Sequence, residues 1–435
     1  MVGGFKNTSS RLAIATAATV FAGGLALTPA QAADLGGDCC ADLEERVAEL
    51  EATAVRHGNR KVKLTLSGQV NSALLYFDDG IDSDVYVIDN DESSTRIRLD
   101  AVGTIRPGLT AGLVIEFDVE IAGGSRIGGF DGDEGVQRPD DDGDGIQLRR
   151  ANWFVKGDFG KISIGQGSMA SDGAYEVSFS NAWYGSVGYG LGVTNIGPFV
   201  VRNHTADAQA IDPNAGNVTW YAVGTDNDTS RRNRVRYDSP TFGGFTASAS
   251  WGEDDEYDVA LRFAREFNGL KVAAAAAYHV DEDDNGPNGT DATDIDRFGI
   301  SAAMLHTPSG FHLQGGYSTL TIENGAGSNA AGDIFQRDHY WIAAGVQFRA
   351  SSLGTTDFTV DYIHNDNEFL SNGNTVVEYD SIGIGMSQDI DAVGGTLYLS
   401  YRYHEAETVS GDGTLFTTGT SDEFDQITFG MRLKY

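Results

Sequence analysis

Basic charge is scarce in this chain: 30 Lys and Arg stand against 63 Asp and Glu, a formal net charge of -33. Nucleic-acid phosphates are met by Lys and Arg, so that class of partner is excluded. The acidic balance suits a solvated surface or one that gathers cations. Cysteine is nearly absent, and the two present, Cys39 and Cys40, are adjacent. That excludes a disulfide framework and a Cys-x-x-Cys site. A vicinal disulfide, a bond to another subunit and no role at all remain open for them. After residue 32 no apolar stretch reaches the ~20 residues that a membrane helix needs. The eight His are scattered, without metal-ligand spacing or a paired Ser motif, and no phosphate-cradling Gly motif stands in a strand–loop–helix setting. No cofactor, resident metal or enzymatic activity is therefore expected; a lipase-type triad assembled in space is the enzymatic alternative.

What is present is a leader and then strands. Residues 1–32 carry Lys6 and Arg11, an apolar run from Leu12 to Leu27, and an Ala-x-Ala ending at Ala32. This is the pattern of a secretory signal peptide, with cleavage expected after Ala32. Within 33–60, residues 41–57 place Leu43, Val47, Leu50 and Ala54 at helical spacing among Glu44, Glu45, Arg46, Glu49 and Glu51. Two heptads are too short to stand alone. The segment is read either as a short periplasmic coiled coil shared by subunits or as one amphipathic helix resting on its own barrel.

From 61 to 435 the chain reads as all-β. About sixteen stretches alternate apolar and polar residues, the signature of strands with one dry and one wet face. The last is the clearest: Ile427, Phe429, Met431, Leu433 and Tyr435 share one face, and Gln426, Thr428, Gly430, Arg432 and Lys434 the other. Short connections marked by Pro and Gly, such as Arg106-Pro107-Gly108 and Thr307-Pro308-Ser309-Gly310, alternate with mostly longer polar ones. Short turns at one rim and long loops at the other fit a 16-stranded antiparallel transmembrane β-barrel with a short N-terminal periplasmic helix. Only helices and closed barrels satisfy every backbone group in lipid. Aromatics near strand ends, among them Tyr76, Phe77, Trp153, Phe159, Trp251, Tyr278, Trp341, Tyr398 and Tyr401, are candidates for the two interfacial girdles.

The longest connection, about 167–232, is rich in Gly, Tyr, Trp and small residues. Loops of this length without their own core are usually functional or disordered. It is expected to fold into the barrel and narrow it, with Asp172 and Glu176 supplying negative charge. On the strands, Arg96 and Arg98 share a face with Asp100, and Glu116 and Asp118 share one with Glu120. Arg149-Arg150 breaks the alternation, and Arg150 is taken as inward because Ala151, Trp153 and Val155 suit lipid. A Lys or Arg on the lipid face costs about 2–4 kcal/mol near midplane, so these charges belong in the lumen. Acid on a loop facing Arg on a wall gives a transverse field that sorts ions; mutual pairing on a wet wall is the plainer alternative. Asp140-x-Asp142-x-Asp144-Gly145 resembles half of a calcium loop, but Ala151 sits where the bidentate Glu is needed. The acidic stretch 131–144 is read as solvated, with a weak calcium site as the other possibility.

Three stretches carry a family resemblance. They are Cys39-Cys40-Ala41-Asp42-Leu43-Glu44-Glu45-Arg46-Val47 with its continuation to Val62, Gly165-Gln166-Gly167 through Asp172-Gly173 and Glu176, and the closing strand to Tyr435. Here the sequence resembles the porins of alphaproteobacteria, the family typical of Rhizobiales. The resemblance implies a sixteen-stranded water-filled barrel, a homotrimer in the outer membrane among lipid and lipopolysaccharide, passive diffusion of small hydrophilic solutes and ions, and a third loop folded inward as the constriction. A sugar-selective porin, in which Tyr175, Trp183, Tyr184 and Tyr189 stack on sugar rings, and a plugged structural or adhesive barrel are the alternatives. Net charge does not set ion selectivity, because charges on outer loops are screened within about 10 Å.

Overall fold

The computed structural model describes residues 62–80, 83–120, 145–190, 192–196, 199, 201, 220–253, 255–282, 293–324, 334–370, 375–410 and 421–435. The expected leader, the helix over 41–57, Cys39-Cys40 and the acidic stretch 131–144 lie outside these residues.

The strands in chain order are β1 (Val62–Asp78), β2 (Ser83–Asp89), β3 (Arg96–Arg106), β4 (Leu109–Glu120), β5 (Gly145–Gly157), β6 (Gly160–Ser168), β7 (Arg231–Asp238), β8 (Phe245–Gly252) and β9 (Glu256–Phe267). They continue as β10 (Leu270–Asp281), β11 (Thr293–His306), β12 (Phe311–Asn324), β13 (Ile334–Phe348), β14 (Thr356–Leu370), β15 (Thr375–Ile390), β16 (Gly395–Ser410) and β17 (Ser421–Lys434). All pairings are antiparallel, and β17 returns to β1 in register from Gln69↔Lys434 to Asp78↔Asp425, which closes the sheet. β2 pairs with β1 along residues 72–78 and β3 pairs with it along 62–69. The two short strands therefore fill one position in the wall, and the closed barrel is sixteen-stranded. The sequence pattern starts this position near 94 and misses β2. The cause is a 3-10 turn at Asp91–Ser93, capped by Asn90, whose side chain accepts from the Glu92 amide at 3.0 Å. It interrupts the alternation between β2 and β3.

Period two sorts the side chains as lipid requires. On β15, Ile382 and Ile384 are exposed on the outside while Ser381 and Ser387 are buried on the inside. On β17, Leu433 and Tyr435 are exposed, whereas Gln426, Thr428 and Arg432 are buried. Among the aromatics expected in the girdles, Trp153, Phe159, Trp251 and Tyr278 are exposed outward. Phe77, Trp341 and Tyr398 are buried instead. They share strand parity with the inward Asn71, His339 and Ser400, and parity decides the face whatever the height along the strand. At the short-turn rim Gly310 has φ 71, and a Cβ there would lie 1.6 Å from the Gln347 carbonyl oxygen, so only glycine turns this corner.

The interior has a dry side. Ala73, Leu75 and Phe77 of β1, with Tyr379, Tyr398 and Phe424, form one buried apolar cluster with Val193, Ile196, Phe199 and Trp220 from the connection between β6 and β7. Inward positions that would face water in an empty barrel are apolar here because a loop covers them.

Candidate pore constriction

The connection after β6 is fastened strand by strand around the inner wall. The Ala170 amide donates to Ser250 Oγ on β8 at 2.7 Å, and the Ser171 amide to Asp258 on β9 at 2.6 Å. Ser301 Oγ on β11 donates to the Ala174 carbonyl at 2.8 Å and accepts from the Val177 amide at 3.0 Å. Trp341 Nε1 on β13 donates to the Tyr175 carbonyl at 3.0 Å. Further on, the Gly188 amide donates to Asp361 on β14. Arg402 on β16 donates through Nε to the Ser186 carbonyl at 3.0 Å and pairs with Asp361 at 2.7 Å. Ser186 adopts φ 64 and Gly188 φ 100, so the chain turns sharply at this clamp. The returning limb holds a short helix, α1 (Trp220–Gly224), and Asn365 Nδ2 donates to the Val223 carbonyl at 2.8 Å.

These fastenings lie on β8 to β16. The inner wall of β3 to β7 is left facing a cavity of about 780 Å³. Nine basic side chains and five acidic ones line that cavity. Arg96 and Arg98 come from β3, as their parity with Asp100 requires, and both line it. Arg149 and Arg150 both line it as well. Glu116 pairs with Arg150 and Phe117 with Leu148, so Arg149 is the extra residue of a bulge, which turns two consecutive side chains inward. The alternation that favoured only Arg150 is broken at that point.

Glu116 and Asp118 lie behind this row, buried, and neither lines the cavity. Glu116 takes Arg149 at 2.9 Å and Arg98 at 3.2 Å, with Arg96 at 3.8 Å and Arg150 at 3.9 Å. Asp118 takes Arg149 at 2.7 Å and the Ser94 hydroxyl at 2.9 Å. The wall acids hold the arginine heads in place rather than facing solute. On the loop side, Asp172 and Glu176 line the cavity with Trp183 and Tyr189. Tyr175 and Tyr184 are buried in packing, and Tyr184 lies 3.8 Å beneath the Arg432 guanidinium.

Several lining residues escape the sequence reading. On β7, Arg234, Arg236 and Asp238 line the cavity, alternating with the outward Val235 and Tyr237; a period-two run of cations was the available signal. Lys161 on β6 and Arg262 on β9 also line it. Asp226 and Asp228 return on the loop to Glu176, and the three place carboxylate oxygens within 4.8 Å of one another. Such a trio either shares protons or holds a cation. Burial, then the charges of Asp228 and Asp226, holds the Glu176 carboxyl well above the usual range. Burial likewise pushes Asp226 up to about 6, and burial with the charge of Asp226 raises Asp228. The loop therefore presents less negative charge than its composition suggests.

A closed barrel with a loop fastened across its lumen is matched by one family model, that of the Gram-negative porins, over residues 15–410. The chain belongs to the Gram-negative porins. The porin is accordingly an outer-membrane channel that lets small hydrophilic solutes and ions diffuse passively, and not an enzyme. Among solved structures it is similar to the anion-selective porin from Comamonas acidovorans, at 16% identity and TM-score 0.54, covering 86% of this chain and 100% of that one. It is also similar to in-vitro folded OmpT of Vibrio cholerae, at 16% identity and TM-score 0.52, covering 88% and 100%. The trimer form of OmpT gives TM-score 0.51 at 16% identity, covering 86% and 99%. At this identity these likenesses concern the fold. No curated protein gives a significant match.

Proposed function

We propose that the gap between the inward loop and the β3–β7 wall is the constriction of a general-diffusion porin that prefers anions. The observation that carries this is the excess of basic over acidic side chains around the gap, together with the burial of Glu116 and Asp118 behind the arginines. A ring of fixed charge at the narrowest point sorts ions by sign, and the chain's net charge of -33 is carried mostly elsewhere. The solved neighbour named as anion-selective supports the same reading. The roles assigned are Arg96, Arg98 and Arg150 on the wall and Asp172 and Glu176 on the loop, with Glu116 and Asp118 as holders of the wall.

The porin works as a homotrimer in this reading. On β10 to β17 several outward tyrosines donate to outward carboxylates on the next strand: Tyr278 to Asp296 at 2.6 Å, Tyr317 to Asp338 at 2.8 Å, Tyr401 to Asp425 at 2.5 Å. That belt suits a lipid headgroup boundary, and its carboxylates would meet lipopolysaccharide phosphates through bridging divalent cations. On β2 to β5 the corresponding outward positions are Val85, Val87, Phe117, Ile146 and Leu148, all exposed. An apolar face without a polar girdle suits a neighbouring subunit, and a trimeric form is named among the solved neighbours. The stretches at 39–62 and 165–176 support a narrower place among alphaproteobacterial porins.

Single-channel current in a planar bilayer under a potassium chloride gradient tests the reading. The expected result is opening in steps of three with a reversal potential favouring chloride. A cation-favouring potential would remove the assignment of the constriction to the arginine wall. Folded, inserted protein without conductance would remove the open pore and leave a plugged barrel.

A further inference from the structure

The arginines of the constriction fall into two sets. Arg96, Arg98, Arg149 and Arg150 gather on Glu116, and Arg236 pairs with Asp238 at 2.8 Å. Arg231, Arg234 and Arg262 make no ion pair among the described residues. They come from β7 and β9, beside the point where the loop leaves β6, and all three line the cavity. Two of the three are nevertheless fixed in orientation. Arg234 donates to the Ser168 carbonyl at 2.9 Å and to the Gly165 carbonyl at 3.0 Å. Arg262 donates to the Asp172 carbonyl at 2.8 Å through one Nη. Two nitrogens remain buried with no hydrogen-bond partner: Arg231 Nε and Arg262 Nη1.

We propose that this corner is a saturable binding site for small doubly charged oxyanions, of the phosphate or phosphate-monoester class, within the channel. The inference rests on the anion-preferring constriction proposed above and adds a site to that field. A buried guanidinium nitrogen without a partner is costly, and an oxyanion with several acceptor oxygens satisfies more than one of them at once. Guanidinium forks match phosphate oxygens two by two, and backbone carbonyls already hold those of Arg234 and Arg262, so these two lose little side-chain freedom on binding. Arg149 and Arg150 also bury an Nε without a hydrogen-bond partner, but the Glu116 carboxylate lies against both and already offsets their charge. Chloride offers one small sphere of charge, and it passes the corner without bridging two strands.

The test uses the purified porin in a planar bilayer bathed in potassium chloride, with inorganic phosphate added at pH 8, where it is mostly dianionic. Chloride current should fall with phosphate concentration and level off, as for a single occupied site. The double variant Arg231→Gln, Arg262→Gln should raise the half-saturating phosphate concentration by about tenfold or more, the loss of one charge-assisted contact. Arg231→Lys with Arg262→Lys keeps the charge but loses the forks and should raise it by a smaller factor, which guards against misfolding of the Gln pair. Arg349→Gln, at an exposed pair on the short-turn rim, serves as the control and should leave the titration unchanged. An anion-selective wild-type channel whose current responds only linearly to phosphate, or saturation that survives both double variants, would overturn the site and leave the anion preference standing. A cation-selective channel would remove the underlying reading itself.

Discussion

Along β8 to β16 the inner wall is covered; along β3 to β7 it is bare. The covered side is held by hydrogen bonds, some neutral and some accepted by the Asp258 and Asp361 carboxylates, by an apolar cluster and by the buried ion pair of Asp361 with Arg402. The bare side is a row of arginines propped on Glu116 and Asp118. Both sides are made of the same alternating strands, and only the path of the loop tells them apart. Charge that is paired into the protein on one side is left for solute on the other.

The comparison breaks most severely at the clamp. Asp361 and Arg402 are buried, and Asp361 also accepts from the Gly188 amide. Asp361→Asn leaves Arg402 uncompensated, at an expected cost of about 3–5 kcal/mol. Denaturant unfolding of the detergent-solubilised barrel should read that loss. In the bilayer the same variant should show wider scatter in open-state current, because the turn at Ser186 and Gly188 is released. An unchanged midpoint and quiet current would mean that the covered side is held by its apolar cluster alone.

On the bare side Glu116→Gln is the matching change. It removes the carboxylate on which four arginines converge, at about 2 kcal/mol for the charge-assisted bonds lost. Here the selectivity should rise rather than fall, since one negative charge leaves a net-positive wall. A reversal potential that moves toward potassium would show that the arginines need Glu116 in order to face the pore at all.

The loop's own acids sharpen the contrast through pH. Asp226 is raised to about 6 by burial, so it is charged at pH 7.5 and mostly neutral at pH 5. Acidification removes negative charge from the loop side and leaves the arginines untouched, so anion preference should increase as pH falls through 6. Asp226→Asn should flatten that step in the reversal potential. An unchanged step would assign it to other carboxyls, Glu176 and Asp228 being raised by the same neighbours.

The barrel was legible because lipid imposes a strict period of two, and Arg96 and Arg98 follow from it directly. The same rule, applied to Arg234 and Arg236, would have found the β7 cations. It failed where the backbone leaves register: at Arg149, which sits in a bulge, and at β2, cut off by a 3-10 turn. Phe77, Trp341 and Tyr398 looked like girdle residues from their position near strand ends. Their parity points inward, and what makes an inward aromatic stable is a covering loop that no local pattern reveals. Asp226 and Asp228 reach Glu176 across some fifty residues of loop, and no spacing rule connects them.

The smallest test asks whether the covered side is fastened cooperatively or bond by bond. Ser301 is buried on β11 and makes two neutral hydrogen bonds to the loop, donating to the Ala174 carbonyl and accepting from the Val177 amide. Ser301→Ala removes both, and each is worth about 1 kcal/mol net. If the fastenings act singly, stability should drop by roughly 1–2 kcal/mol with no change in open-state current, because Trp341 still holds the Tyr175 carbonyl between them. Current scatter approaching that of Asp361→Asn would show instead that the loop releases as a unit. The bare wall would then owe its width to the summed strength of the fastenings opposite, rather than to any one of them.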